Sequence, residues 1–321
     1  MSAARTATPR RCIRAPSLVN EMGRLGGIVD SNPETRRLFQ EQYPDTRIYN
    51  DIKEALDEND GFVVTSPAET HFSIAKLLIE NKKPVLVEKP LSLTVTEAKI
   101  LKNLSEEYGV PLMTGHVLLF HPAIRKIKSL LVEGKIGKLQ YIYSNRLNLG
   151  TIRSEENILW SFAPHDISIF QYFIEKAPLE VVSRGGIFLQ PEIDDTTMTI
   201  LTYPDNIVGH IFVSWLHPFK EQRLVVIGSE GMLSFEDSSP GKEIFFYEKG
   251  VKWVQGKPVK KDGPTESIPY EQAMPLTEEL KYFIDRIEGK PVEIANADEA
   301  IEVLSILERA TQSLKGNCND G

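Results

Sequence analysis

Between Gly26 and Thr114, short apolar runs alternate with stretches of helical periodicity, and this alternation restricts the fold more than any other feature. Gly27-Ile28-Val29-Asp30, Ile48-Tyr49, Gly61-Phe62-Val63-Val64-Thr65, Pro84-Val85-Leu86-Val87 and Pro111-Leu112-Met113-Thr114 read as strands. The intervening segments read as helices. Asn32 is placed to cap one that runs to about Gln42, with Pro33 at its first position. A short helix is expected over Ile52 to Leu56, and longer ones from about Glu69 to Asn81 and from Thr94 to Tyr108. Strands and helices alternating at this spacing specify a parallel sheet with crossover helices.

After a helix near residues 122–133 the pattern changes. Segments 139–148, 179–189, 196–203, 207–216, 223–228, 231–236 and 243–248 read as strands, joined by turns such as Pro204-Asp205-Asn206 and Ser229-Glu230-Gly231. Residues 163–174 are the main helical interruption, and apolar positions from Ala300 to Leu307 mark a C-terminal helix over about 298–314. The expected fold is therefore α/β. A parallel-sheet domain covers 1–118, with an atypical segment at 1–20, and an α+β domain with a large, mostly antiparallel sheet covers 119–321. The second domain suits substrate binding or oligomerisation.

The 321 residues suffice for two cores, and 26% charged with 41% hydrophobic residues is ordinary globular composition. A net charge of −8 argues against a nucleic-acid or anionic-membrane binder. Cys12 and Cys318 are the only cysteines, so neither a disulfide framework nor a cysteine metal cluster is expected. His121, His210 and His217 lack metal-ligand spacing, and no metal is expected. No apolar run reaches transmembrane length, and a cytoplasmic location is the expectation.

Glu88-Lys89-Pro90 closes the apolar run at residues 84–87. A lysine at the mouth of a buried strand is partly desolvated, which lowers its pKa and suits it to proton transfer near neutrality. The proline ends the strand and directs the lysine. In open α/β sheets this edge is where ligands bind. Asp30 also closes a strand, where an acid can bind both ribose hydroxyls of NAD, with Ser31 beside it. Thr65-Ser66-Pro67-Ala68-Glu69-Thr70-His71 follows a strand and opens a helix, offering backbone N–H groups to a phosphate or ribose. Downstream lies Trp160-Ser161-Phe162-Ala163-Pro164-His165-Asp166.

Together these motifs resemble the glucose–fructose oxidoreductase/inositol dehydrogenase/rhizopine-catabolism (Gfo/Idh/MocA) family of NAD(P)-dependent sugar dehydrogenases, over roughly residues 18–314. Gly115-His116 to Phe120-His121-Pro122 and Asn145-Arg146-Leu147-Asn148 look most like the branch acting on nucleotide-linked sugars, typified by UDP-N-acetylglucosamine(-uronate) 3-dehydrogenases. The resemblance implies a Rossmann-type first domain, its first strand and Gly-rich loop degenerate in this chain, and hydride transfer from a secondary hydroxyl of a sugar to nicotinamide. It makes Lys89 the proton-handling residue and His165 the second acid/base or orienting group. Cofactor contacts are expected from Asp30, Ser31, Thr65, Ser66, Pro67, His71, Glu88 and Lys89. Substrate contacts are expected from His116, Arg146, Asn148, Arg153, Asn157 and Asp166. Asp30 favours NAD over NADP, because an acid there repels a 2′-phosphate. Partners are then a sugar or nucleotide sugar and further copies of the chain.

Each residue also has an ordinary reading. Asp30 can cap a helix, His71 can be a polar residue at a helix start, Lys89 a solvated strand end and His165 a core histidine. Arg146, Asn148, Arg153 and Asn157 can be a loop salt-bridge cluster. Three departures stand out. Met1 to Asn20 contain no glycine, so the Gly-x-Gly-x-x-Gly turn that lets backbone approach a pyrophosphate is missing. A reading-frame error, a true divergence or an Arg-rich targeting peptide would each produce this. A divergence would leave a non-catalytic homologue acting in binding or assembly. Ser161 stands where many members have an acid four residues before the histidine, and Leu119 stands near a position where that branch often has arginine.

Overall fold

The computed structural model describes residues 25–316; the expectations for residues 1–20, Cys12 and Cys318 fall outside them. The described residues form two units, 25–117 with 274–301, and 118–273 with 302–316.

In the first unit β1 (Ile28–Val29) pairs in parallel with β2 (Ile48–Tyr49), connected through α1 (Pro33–Gln42). The Asn32 side chain caps α1, accepting from the Glu34 and Thr35 N–H groups at 2.8 and 3.4 Å. Strands β3 (Phe62–Val64), β4 (Val85–Glu88) and β5 (Leu112–Gly115) form a parallel sheet with β4 in the middle. The crossovers are α2 (Ala68–Glu80) and α3 (Val95–Tyr108). Val85, Leu86 and Val87 are all buried, as in a parallel strand covered on both faces. Among the described residues the β1–β2 pair shares no ladder with β3–β4–β5.

The second unit opens with α4 (Pro122–Val132). Its sheet contains β6 (Leu139–Leu147), β7 (Glu180–Gly186), β8 (Thr196–Thr202), β9 (Val208–Ser214), β10 (Glu221–Gly228), β11 (Met232–Glu236), β12 (Ile244–Val254) and β13 (Lys257–Ile268). The order is β13-β12-β11-β10-β6-β9-β8-β7, antiparallel except where β6 meets β9. Alternation along β8 buries Thr197, Thr199 and Leu201 while exposing Met198 and Ile200. The buried face packs on α5 (Ile158–Ile174). The other face carries Met198, Ile200 and Val208 with Tyr141, Tyr143 and His210. The Tyr143 and His210 rings stack at 5.0 Å.

Two elements differ from the sequence reading. α5 starts at Ile158 rather than near 163, because Asn157 accepts from the Trp160 N–H and Pro164 is tolerated inside the helix. β12 runs past 248 and pairs with β13, a strand that lysines, Pro258, Gly263 and Pro264 had disguised.

The chain then returns to the first unit. α6 (Pro275–Ile287) sets Ile287 so close to Gly61 that a Cβ there would lie 2.5 Å from its Cδ1. The Ala295 carbonyl accepts from the Thr114 N–H of β5 at 2.7 Å. A single cut after residue 118 does not provide for this return. The boundary between units falls inside α7 (Ala297–Lys315).

Candidate active site

At the carboxyl end of β1, one Asp30 carboxylate oxygen accepts from the Asn32 N–H at 2.8 Å. Arg36, one turn into α1, donates from Nη1 to the Asp30 and Ser31 carbonyls, both at 2.8 Å. The acid is thus held at the strand edge with its second oxygen available to a diol. Arg36 thus ties the first turn of α1 to the strand end through Nη1.

The β3 and β4 edges are tied to each other. Thr65, Ser66 and Pro67 form the turn into α2, where the Thr70 hydroxyl lies 2.6 Å from Ser66 Oγ. His71 is 1% exposed, with Nδ1 2.7 Å from the Pro90 carbonyl oxygen and Nε2 2.8 Å from that of Ser66. The ring thus lies between two backbone carbonyls, one nitrogen at hydrogen-bond distance from each. His71 therefore joins the Ser66 turn to the Lys89 turn, and neither ring nitrogen is left for the cofactor contact expected of it. His71→Leu removes the ring nitrogens from both carbonyls. The free energy of unfolding in urea is expected to fall by about 1–3 kcal/mol; a change under about 0.5 kcal/mol would show that these carbonyls need no donor.

Lys89 follows β4 directly and is half-buried; its N–H donates to Glu88 Oε2 at 3.2 Å. Gly115 of β5 pairs with Glu88, and a Cβ at Gly115 would sit 3.1 Å from both the Glu88 Cα and Oε2, so a side chain there would crowd the β4 end. Glu88, Thr65 and Gly115 line a small cavity closed by Leu276, Glu279 and Leu280 of α6. Glu279 is a buried carboxyl that the sequence reading missed. Its only signal is an acid on the apolar face of an amphipathic helix. His116 is buried just past β5, its N–H donating to the Thr114 carbonyl at 2.7 Å.

In the second unit, His165 lies on α5 and is half-buried, one residue after Pro164; Ser161 is buried one turn earlier. Asp166 and Arg146 were expected to hold substrate. They hold each other: Arg146 Nε meets Asp166 Oδ2 at 2.7 Å and Nη2 meets Oδ1 at 3.0 Å, a bidentate pair joining β6 to α5. Burial works to lower the Arg146 pKa, but the Asp166 carboxylate more than offsets it and the guanidinium stays charged. Arg153 pairs loosely with Glu156 at 3.7 Å, Asn157 is the α5 cap, and Asn148 continues the β6 edge with its N–H donating to the Ser214 carbonyl at 3.1 Å. These polar residues are largely spent on the fold.

Beside the Arg146–Asp166 pair lies a small cavity that His121 and Asp237 also line. His121 Nδ1 accepts from the Ala123 N–H at 3.1 Å, which turns Nε2 toward Asp237 Oδ1 at 3.6 Å. His121, assisted by Lys242, holds the Asp237 carboxyl well below the usual carboxylate range against the effect of burial. Sequence reading had no route to this pair, because its members belong to distant elements.

A parallel nucleotide-type sheet with an acid at one strand edge and a lysine at another, followed by a largely antiparallel sheet domain, defines a two-domain oxidoreductase. Residues 8–116 match the "Oxidoreductase family, NAD-binding Rossmann fold" model and residues 124–234 match the "GFO/IDH/MocA C-terminal domain". The chain belongs to the Gfo/Idh/MocA oxidoreductase family, and its first domain is of the NAD-binding Rossmann type. It is 22% identical over 269 residues to UDP-N-acetylglucosamine 3-dehydrogenase of Acidithiobacillus ferrooxidans, covering 83% of this chain and 82% of the relative. It is 24% identical over 294 residues to myo-inositol 2-dehydrogenase of Thermotoga maritima, covering 87% and 86%. The solved Acidithiobacillus ferrooxidans enzyme shares the fold with a TM-score of 0.82 at 20% identity, over 94% of this chain and 93% of that one. No described helix is long and apolar enough to cross a membrane.

Proposed function

We propose that this protein oxidises a secondary hydroxyl of a sugar or nucleotide sugar, with NAD as the hydride acceptor when bound. The observation that carries the proposal is Lys89 at the carboxyl edge of β4, the middle strand of the parallel sheet. The residues present suit NAD. Asp30, oriented by the Asn32 N–H, offers a carboxylate oxygen to a ribose diol and repels a 2′-phosphate. Ser31 and the Thr65–Pro67 turn offer further polar groups at neighbouring strand edges. The reaction removes a hydride from the carbinol carbon and a proton from its oxygen, leaving a carbonyl. Lys89, as the neutral amine, takes that proton at Nζ. Glu88 fixes the backbone beneath it, and His165 of the second unit assists as acid/base or orienting group. Substrate contacts under this proposal come from His116, Arg146, Asn148, Arg153, Asn157 and Asp166.

The open face of the second-unit sheet, with Met198, Ile200, Val208, Tyr141 and Tyr143, is an apolar surface of the kind that marks an association site. Its occupant under this proposal is a further copy of the chain.

Fluorescence titration of the purified chain with NADH tests the cofactor reading. Saturable binding near micromolar, about 8 kcal/mol, is expected, followed by activity in a panel of sugars and nucleotide sugars. A folded chain that does not bind NADH would refute an NAD-linked activity.

A further inference from the structure

Past Tyr247 the sheet narrows to a ribbon. β12 pairs with β11 only as far as Tyr247, whereas its ladder with β13 continues from Lys249 to Val254. The register shifts between Tyr247 and Lys249. There Gly263 passes so near Glu248 that a Cβ would lie 2.2 Å from its carbonyl oxygen. Bulges of this kind bend a strand and re-aim it. The ribbon closes through Gln255 and Gly256 at φ 50° and 76°, a two-residue turn whose twist matches the strands. Six residues a side at about 3.3 Å each make an arm ~20 Å long.

An isolated two-stranded ribbon is marginally stable in water, and this one leaves its apolar residues outside. Val251, Trp253 and Val254 are 58%, 72% and 53% exposed. Val251 and Trp253 share one face, opposite Lys260 and Pro258. The arm is also the reverse of the chain in charge. Residues 249–261 hold five lysines and no acid; Lys260 and Lys261 pair at the base of the arm with Asp262 and Glu248, which leaves Lys249, Lys252 and Lys257 toward the tip, while the chain as a whole carries −8. Lysines on an edge strand discourage stray pairing, but that role does not call for an exposed tryptophan at the tip.

We propose that residues 249–261 form a strap that docks on the acidic surface of a second copy of this chain. Lysines meet carboxylates and Val251 and Trp253 bury against the partner. In a two-fold assembly each copy gives and receives one strap, so the contact occurs twice. The inference rests on the self-association reading above.

Sedimentation equilibrium of the full chain tests it, with Lys252→Glu/Lys257→Glu and Trp253→Ser as variants; all three residues are exposed and outside the core. The wild-type chain is expected to self-associate, more weakly at 0.5 M salt than at 0.05 M (on the order of a tenfold change in ionic strength, shortening the Debye length about threefold). Each variant is expected to raise the dissociation constant at least tenfold (~1.4 kcal/mol). A wild-type assembly with the same constant in both variants would overturn the strap and leave the sheet-face reading standing. A monomeric wild type would overturn both. Co-sedimentation with phosphatidylserine vesicles, lost in the charge variant while assembly is unchanged, would overturn the proposal by making a lipid surface the partner.

Discussion

Lys89→Ala is expected to lower kcat by about 10²–10⁴ on any sugar that the wild-type chain turns over, the range for loss of a positioned proton acceptor. That is roughly 2.7–5.5 kcal/mol at the transition state. NADH affinity is expected to stay within about threefold (~0.7 kcal/mol), because what shapes the β4 edge is not the lysine side chain. The Glu88 carboxylate accepts from the Lys89 N–H, His71 holds the Pro90 carbonyl, and Gly115 closes against Glu88. Truncation at Cβ touches none of these. Steady-state kinetics and a parallel NADH titration separate the outcomes. Turnover within tenfold of wild type would remove Lys89 from the mechanism. A large loss of NADH affinity with little change in kcat would instead make it a cofactor-holding residue.

The largest effect on stability is expected from Asp166→Ala. It strands the Arg146 guanidinium inside the second unit with no bidentate partner, and loss of one member of a buried pair costs about 3–5 kcal/mol. Urea unfolding should show it as a lower midpoint with the slope unchanged. Adding Arg146→Met to the same variant is expected to recover most of the loss, because the uncompensated charge is then gone. The exposed pair Arg37–Glu41, with side chains 80% and 62% exposed, supplies the contrast: breaking it is expected to cost less than about 1 kcal/mol. A loss under 1 kcal/mol for Asp166→Ala would mean that β6 and α5 are held by their apolar contacts alone.

Local signals carried much of the fold. Asn32-Pro33 announced α1, apolar runs announced β3 to β5, and the switch to alternating patterns announced the second sheet. These depend on residues within a few positions of one another. What escaped depends on distance or on mixed signals. β13 has the glycine and prolines of a loop, yet pairs with β12 on both sides of a bulge at Gly263 and Pro264. The helix read over 163–174 starts at Ile158, because its cap, Asn157, reads as one more polar loop residue. Among the candidate residues, Lys89, Asp30 and the Thr65–Pro67 turn were legible as strand ends and the turn after one, because apolar runs mark where strands stop. Arg146 and Asp166 were legible as polar but not as partners, since one lies on a strand and the other on a helix packed over it. His71 was legible as belonging near the site, but the choice between touching a ligand and bridging two carbonyls is made by packing.

The bond from Thr114 to the Ala295 carbonyl also has a consequence for synthesis. A ribosome adding about 5–20 residues per second needs roughly 10–35 s to travel between those positions. Throughout that interval β5 has emerged without its C-terminal partner and Gly61 without the Ile287 side chain that packs on it. The first unit therefore cannot finish folding in the order in which it is made. Its nascent sheet must wait for the second unit to be translated, and a chain stopped near residue 273 would release both β5 and the α6 side of the Glu88 cavity uncovered.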